Sequence, residues 1–208
     1  MKALPLAILL STAAFSAQAL DFSFTGNFTG DSDVQLFNFV IGAPSNIRLR
    51  SYSYAGGTMA DGTGIAAGGF DPILVLFDGT GTLLEYHDDG PGPVDPDPDT
   101  NSKYDVNLPI LSLAAGSYTV AIMQYNNFPT GISLSDGFQK SDPFFTSEFN
   151  CTNGQFCDIN EDNRTSFWAF DILGVEAASM AAVPLPASLP LVLAGLGTFG
   201  IAARRRKA

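Results

Sequence analysis

Between residues 20 and 174 apolar side chains recur at every second position, the period of a strand with one buried face, and no stretch carries the 3.6-residue period of an amphipathic helix. DFSFTGNF sets Phe22 and Phe24 against Ser23 and Thr25. VQLFNFVI places Phe37, Phe39 and Ile41 on one face, and NIRLRSYSY alternates Ile47 and Leu49 with Arg48 and Arg50. GSYTVAIMQY lines up Tyr118, Val120 and Ile122, and SFWAFDILGV groups Trp168, Phe170 and Ile172. PILVLFD is apolar without interruption, which suits a central strand. TLLEYH follows it after Asp78-Gly79-Thr80-Gly81, so residues 73–87 read as a hairpin. With 17 Phe and 21 Gly between short, regularly spaced strands, the pattern predicts an all-β fold, an antiparallel jelly-roll-like β-sandwich.

Three stretches fall outside the pattern. Residues 55–69 are glycine-rich and read as a mobile insertion. Residues 88–103, DDGPGPVDPDPDTNSK, read as an acidic proline loop. Residues 128–161 read as a long irregular connection.

The two ends of the chain differ from the middle. MKALPLAILLSTAAFSAQAL has Lys2, an apolar run and then Ala17 and Ala19 in an A-x-A arrangement. That is the layout of a secretory signal peptide cut after Ala19. At the other end, residues 187–203 form an uncharged apolar run of 17 residues, long enough for a transmembrane helix. Arg204, Arg205, Arg206 and Lys207 follow it. Such a cluster stays in the cytoplasm, so the body of the chain is expected on the far side of the membrane. The expected organisation is a signal peptide (1–19), an exported β-sandwich (20–178), a linker (179–186), a span (187–203) and a basic tail (204–208).

The tail resembles the PEP-CTERM sorting signal of Gram-negative bacteria. The resemblance rests on Val183-Pro184-Leu185-Pro186, the apolar run, and Arg204, Arg205 and Arg206. Leu185 stands where the family has Glu. The resemblance implies recognition by an exosortase-type membrane protease, anchoring among inner-membrane lipids, and then a cut near residues 184–186 with release or transfer to the cell surface. Prolines keep that segment extended, because Pro lacks an N–H and disfavours helix in the residue before it.

All 21 acidic residues lie in the middle region, which holds only Arg48, Arg50, Lys103, Lys140 and Arg164 in return. A surface of that sign repels phosphate backbones, so nucleic acid is not an expected partner. Cys151 and Cys157, the two cysteines, are expected to form a disulfide around a small loop in an exported chain.

Part of the middle is similar to the bacterial pre-peptidase C-terminal domain. The residues concerned are Asp31 and Asp33, Asp78 and Gly81, Asp88 and Asp89, and Gly116 and Tyr118, within residues 21–127. The resemblance implies a small non-catalytic sandwich and fixes no ligand.

The chain offers little for catalysis. His87, the single histidine, precedes Asp88 and Asp89, but no G-x-S-x-G elbow accompanies it. No enzyme activity is expected. The chemistry with more support is calcium binding by Asp88, Asp89, Asp95, Asp97 and Asp99, since hard cations take loop oxygens. The prolines among them stiffen the loop and lower the entropy lost on binding. DINEDN has acidic or amide groups at Asp158, Asn160 and Asp162 but lacks the Gly and terminal acid of an EF-hand. The function expected is a surface or extracellular-matrix protein, placed in an extracellular polysaccharide layer. The alternatives are a secreted, calcium-assisted carbohydrate-binding module stacking sugars on Tyr52, Tyr54, Tyr86 and Tyr125, and a secreted hydrolase that depends on His87.

Overall fold

The computed structural model describes residues 18–181. The expected signal peptide, span and basic tail lie outside the described residues. Eleven strands run in chain order: β1 (Leu20–Asn27), β2 (Val34–Ile41), β3 (Ser45–Ser51), β4 (Gly57–Thr58), β5 (Gly64–Ile65), β6 (Pro72–Asp78), β7 (Leu83–His87), β8 (Asn107–Leu113), β9 (Gly116–Gln124), β10 (Phe167–Val175) and β11 (Ala177–Met180). Two 3-10 turns, Leu134–Asp136 and Phe145–Phe149, are the only helical elements among the described residues. No helix there is long and apolar enough to cross a membrane.

The strands form two antiparallel sheets packed face to face. One has the order β1-β10-β3-β8 and the other β11-β2-β9-β6-β7. Apart from the β6–β7 hairpin, each connection between these strands crosses from one sheet to the other. The alternation seen in the sequence decides which side chains meet. Phe37, Phe39 and Ile41 from β2, and Val120 and Ile122 from β9, face Ile47 and Leu49 from β3 and Trp168, Phe170 and Ile172 from β10. Each such side chain contributes roughly 1.5–3 kcal/mol by leaving water. Aromatic edges interlock at the centre: Phe37 lies 5.6 Å from Trp168 in a T-shaped contact and 5.1 Å from Phe170.

The uninterrupted run in β6 has a direct explanation. Leu74 and Leu76 point into the inter-sheet core. Ile73, Val75 and Phe77 point outward, where Phe128, Leu134 and Phe138 of the long connection cover them. The irregular segment is therefore a lid on the outer face of the five-stranded sheet. The glycine-rich segment does the same for the other sheet. Instead of a loose insertion it forms the β4–β5 hairpin, and it buries Met59 against Tyr52 and Ala169.

Two strands escape the alternation rule. β8 carries Pro109, which an edge strand tolerates because one of its sides needs no ladder donor, and β8 does lie at a sheet edge. β11 is four residues of mostly small side chains paired with β2. It carries the folded body to Met180, two residues past the boundary expected at 178, and the Ala181 N–H still donates to Leu36 O.

Candidate functional site

The five carboxylates expected to share one calcium ion are divided by the fold. The loop leaves β7 at His87 and is tied to the start of β8, where Gly92 N–H donates to Asn107 O at 2.9 Å and Asn107 Nδ2 donates to Pro93 O at 2.7 Å. Asp97 turns inward. Its Oδ1 accepts from the backbone of Asp99 and Thr100 and from Thr100 Oγ1, and its Oδ2 accepts from Arg164 Nη2 at 3.0 Å. Asp95 points to solvent, 4.0 Å from Arg50, and Asp99 is exposed. The physical reason is Arg164: a buried guanidinium needs a carboxylate, and Asp97 supplies it.

Asp88 and Asp89 go elsewhere. They line a hollow of about 190 Å³ together with Asp71, Tyr104, Tyr125 and Ile159. Asp71 sits immediately before β6, where its backbone O accepts from Tyr125 N–H at 2.9 Å. The residue is only 4% exposed, and its Oδ1 has no hydrogen-bond partner. Burial, and then the nearby Asp89 and Asp88, push the Asp71 carboxyl well above the usual carboxylate range. Burial also raises Asp89, with Asp88 adding to it. Tyr125 is raised by burial and then by Asp71. Gln124 and Asn126, on either side of Tyr125, each hold a buried side-chain oxygen with no partner. Among the described residues no group of three or more His, Cys, Asp or Glu closes into a metal cage.

Sequence reasoning found Asp88 and Asp89 but missed Asp71. Its signal was an Asp-Pro pair opening a strand that is buried on both faces, a place where a carboxylate has no ordinary use.

The aromatic residues considered for sugar stacking separate into two kinds. Tyr52 and Tyr54 are buried, with 4% and 0% exposure. Tyr52 donates to Asp171 Oδ2 at 2.9 Å, and Tyr54 donates to Asp158. Neither offers a free ring face, because their hydroxyls hold the interior carboxylates. Tyr86 is half exposed and stands 5.9 Å from Phe128. Asp158 is likewise spent on its own loop, accepting from the N–H groups of Asn160 and Asp162. His87 Nε2 lies 2.8 Å from Glu85 Oε1 at the end of β7.

Cys151 and Cys157 form the expected disulfide, with Cα atoms 5.4 Å apart. The residues behind the second resemblance hold turns and connections. Asp31 is buried and accepts from Thr146 and from Phe156 N–H, Asp33 Oδ2 accepts from Thr29 and Gly30, and Asp78 Oδ1 accepts from Thr80 and Thr82 in the hairpin turn.

The described body is thus an antiparallel β-sandwich with an acidic hollow at one end of β6. Residues 182–207 match the family model of the PEP-CTERM protein-sorting motif. The motif marks an exported protein that an exosortase sorts at the membrane. No curated protein matches the chain. Val183, Pro184, Leu185, Pro186 and Arg204–206 lie within the matched stretch and outside the described residues.

Proposed function

We propose that this chain is a non-catalytic protein of the cell surface or extracellular matrix, held at the inner membrane by its C-terminal span until an exosortase-type protease cuts near Pro184–Pro186. The observation that carries the reading is the sorting motif at residues 182–207, joined to an acidic sandwich whose last strand stops at Met180. From the last backbone bond at Ala181 to Pro184 is three residues, a reach of at most about 11 Å. The protease would cut close to the folded edge and release the sandwich nearly whole. The signal peptide, the inner-membrane anchor and the membership of the sandwich in the pre-peptidase C-terminal group belong to this same reading. The test is mass spectrometry of the protein from its own cells, with and without exosortase. The expected mature form begins near Leu20 and ends near residues 184–186, and a form that keeps the tail accumulates when exosortase is removed. An intact chain of 208 residues that is the same in both cells overturns the reading.

A second reading, binding of extracellular polysaccharide, is favoured by the exposed Tyr86. It flanks a groove with Leu83, Phe128 and Gln139, a ring face of the kind that stacks on sugars. Glycan binding that is lost in Tyr86→Ala supports it.

A further inference from the structure

We propose that the hollow between Asp71, Asp88 and Asp89 binds one hydrated hard divalent cation, of the calcium or magnesium class. Three observations converge there. Asp71 is almost wholly buried, yet one carboxylate oxygen has no donor. A carboxylate buried without a partner is costly, so the group either holds its proton or is met by a cation. Asp88 and Asp89 line the same space, so three acidic groups face one hollow. Every polar side-chain atom on its wall is an oxygen, from three carboxyls and two phenols, which is the donor set of a hard cation.

The size of the hollow bears on the form of the ion. A hollow of about 190 Å³ is far roomier than one bare ion needs and leaves space for bound water. The carboxylates surround it without forming a three-ligand cage. A bare ion ringed by side chains does not fit that spacing. An ion that keeps part of its water shell and touches the carboxylates directly or through water does, and both calcium and magnesium accept waters among their ligands. Asp95, Asp97 and Asp99 take no part, because Asp97 is occupied by Arg164 and the other two face solvent.

The test uses the full-length chain in detergent, stripped with EDTA, with calorimetric titration and thermal melting in calcium chloride or magnesium chloride at constant ionic strength. One equivalent of ion is expected to bind and to raise the melting temperature, and the better of the two ions identifies the class. Asp71→Asn keeps the shape of the side chain and removes its charge. It is expected to match the parent's melting temperature in EDTA or exceed it, and to bind the ion roughly tenfold or more weaker. Asp88→Asn/Asp89→Asn repeats the loss with the other two carboxylates and decides the matter if Asp71→Asn does not fold. Asp95→Asn/Asp99→Asn is expected to bind as the parent does. The proposal is overturned by absence of heat and of a melting shift with both ions. Binding that survives Asp71→Asn and Asp88→Asn/Asp89→Asn, or that is lost in Asp95→Asn/Asp99→Asn, overturns it equally. So does stabilisation matched by sodium chloride alone.

Discussion

Arg164 and Asp97 meet inside the protein, Nη2 to Oδ2 at 3.0 Å, with side chains 4% and 0% exposed. The guanidinium also donates to Gly69 O and Tyr54 O, and it lies 3.7 Å from the centre of the Tyr54 ring. One side chain therefore joins the acidic loop, the end of the β4–β5 insertion and the approach to β10. Removing one partner leaves the other charge buried and unmatched. Arg164→Ala and Asp97→Ala are each expected to cost about 3–5 kcal/mol in denaturant unfolding. The double variant is expected to cost clearly less than the sum of the two. Strict additivity would mean that the pair is not energetically coupled.

The same pair contributes to the pH dependence of stability at the acid end. Burial pushes Asp97 up, but the Thr100 amide and the Arg164 guanidinium more than reverse this, and the carboxyl stays below its usual range. A carboxyl lowered in the folded state contributes stability that is present above its unfolded value of about 3.9. That contribution fades as pH falls through the lower folded value. Tyr52 contributes to an alkaline limb, as does Tyr54, whose hydroxyl is raised by burial and its hydrogen bond to Asp158. Burial and the neighbouring Asp171 push the Tyr52 hydroxyl up to about 12. Its contribution is full below the unfolded value of about 10 and is lost as pH rises toward the folded one. In melting temperature against pH, relative to the parent, Asp97→Asn is expected to lose less stability as pH falls below about 4 and Tyr52→Phe less as pH rises above about 10. The raised Asp71 and Asp105 carboxyls work in the opposite sense at the acid end, favouring the fold as they protonate.

Trp168 lies flat over Gly26 of the neighbouring strand β1. A Cβ added at Gly26 would run into Trp168 Cζ2 and stand 2.7 Å from Cε2. Trp168 is held in turn by Phe28 and Phe37, so the ring cannot move without disturbing the core. Gly26→Ala is expected to cost about 1–3 kcal/mol as an overpacking substitution. Tryptophan fluorescence gives a clean readout, since Trp168 is the only tryptophan. An unchanged emission maximum and melting temperature would show that the ring has room to shift.

The strands that were legible in the sequence are those whose inner residues are large. Phe37, Phe39 and Ile41, or Trp168, Phe170 and Ile172, mark their faces by size alone. β8 was not legible because Pro109 and Ser112 break its pattern, and an edge position makes both tolerable. β11 was not legible because Ala177, Ala178 and Ser179 carry almost no hydrophobic signal, and the strand is held by its ladder to β2. The covering role of residues 128–161 could have been suspected from PILVLFD, whose outward side chains need a partner. The site is a harder case. A count of aspartates along the loop favoured Asp95, Asp97 and Asp99, but sequence spacing cannot show that a distant Arg164 claims Asp97. Nor can it show that Asp71, 17 residues before Asp88, returns to stand beside it.

The disulfide can be weighed by what it closes. Cys151 and Cys157 are six residues apart, so the link removes little freedom from the unfolded chain, about 2 kcal/mol on the loop-entropy account. Its surroundings do more. Cys157 N–H donates to Thr146 Oγ1, Cys157 O accepts from Gln124 Nε2, and Thr146 is bonded to the buried Asp31. Phe149 packs beside the sulfurs with Tyr125 behind it. The long connection is thus fixed to the sheets by hydrogen bonds and packing that do not depend on the S–S bond. Cys151→Ala/Cys157→Ala is therefore expected to remain folded and to melt roughly 4–8 °C lower. A reducing agent added to the parent protein should reproduce that shift. A collapse of the melting transition, or exposure of residues 128–161 to protease on reduction, would instead make the disulfide the principal anchor of the lid over β6.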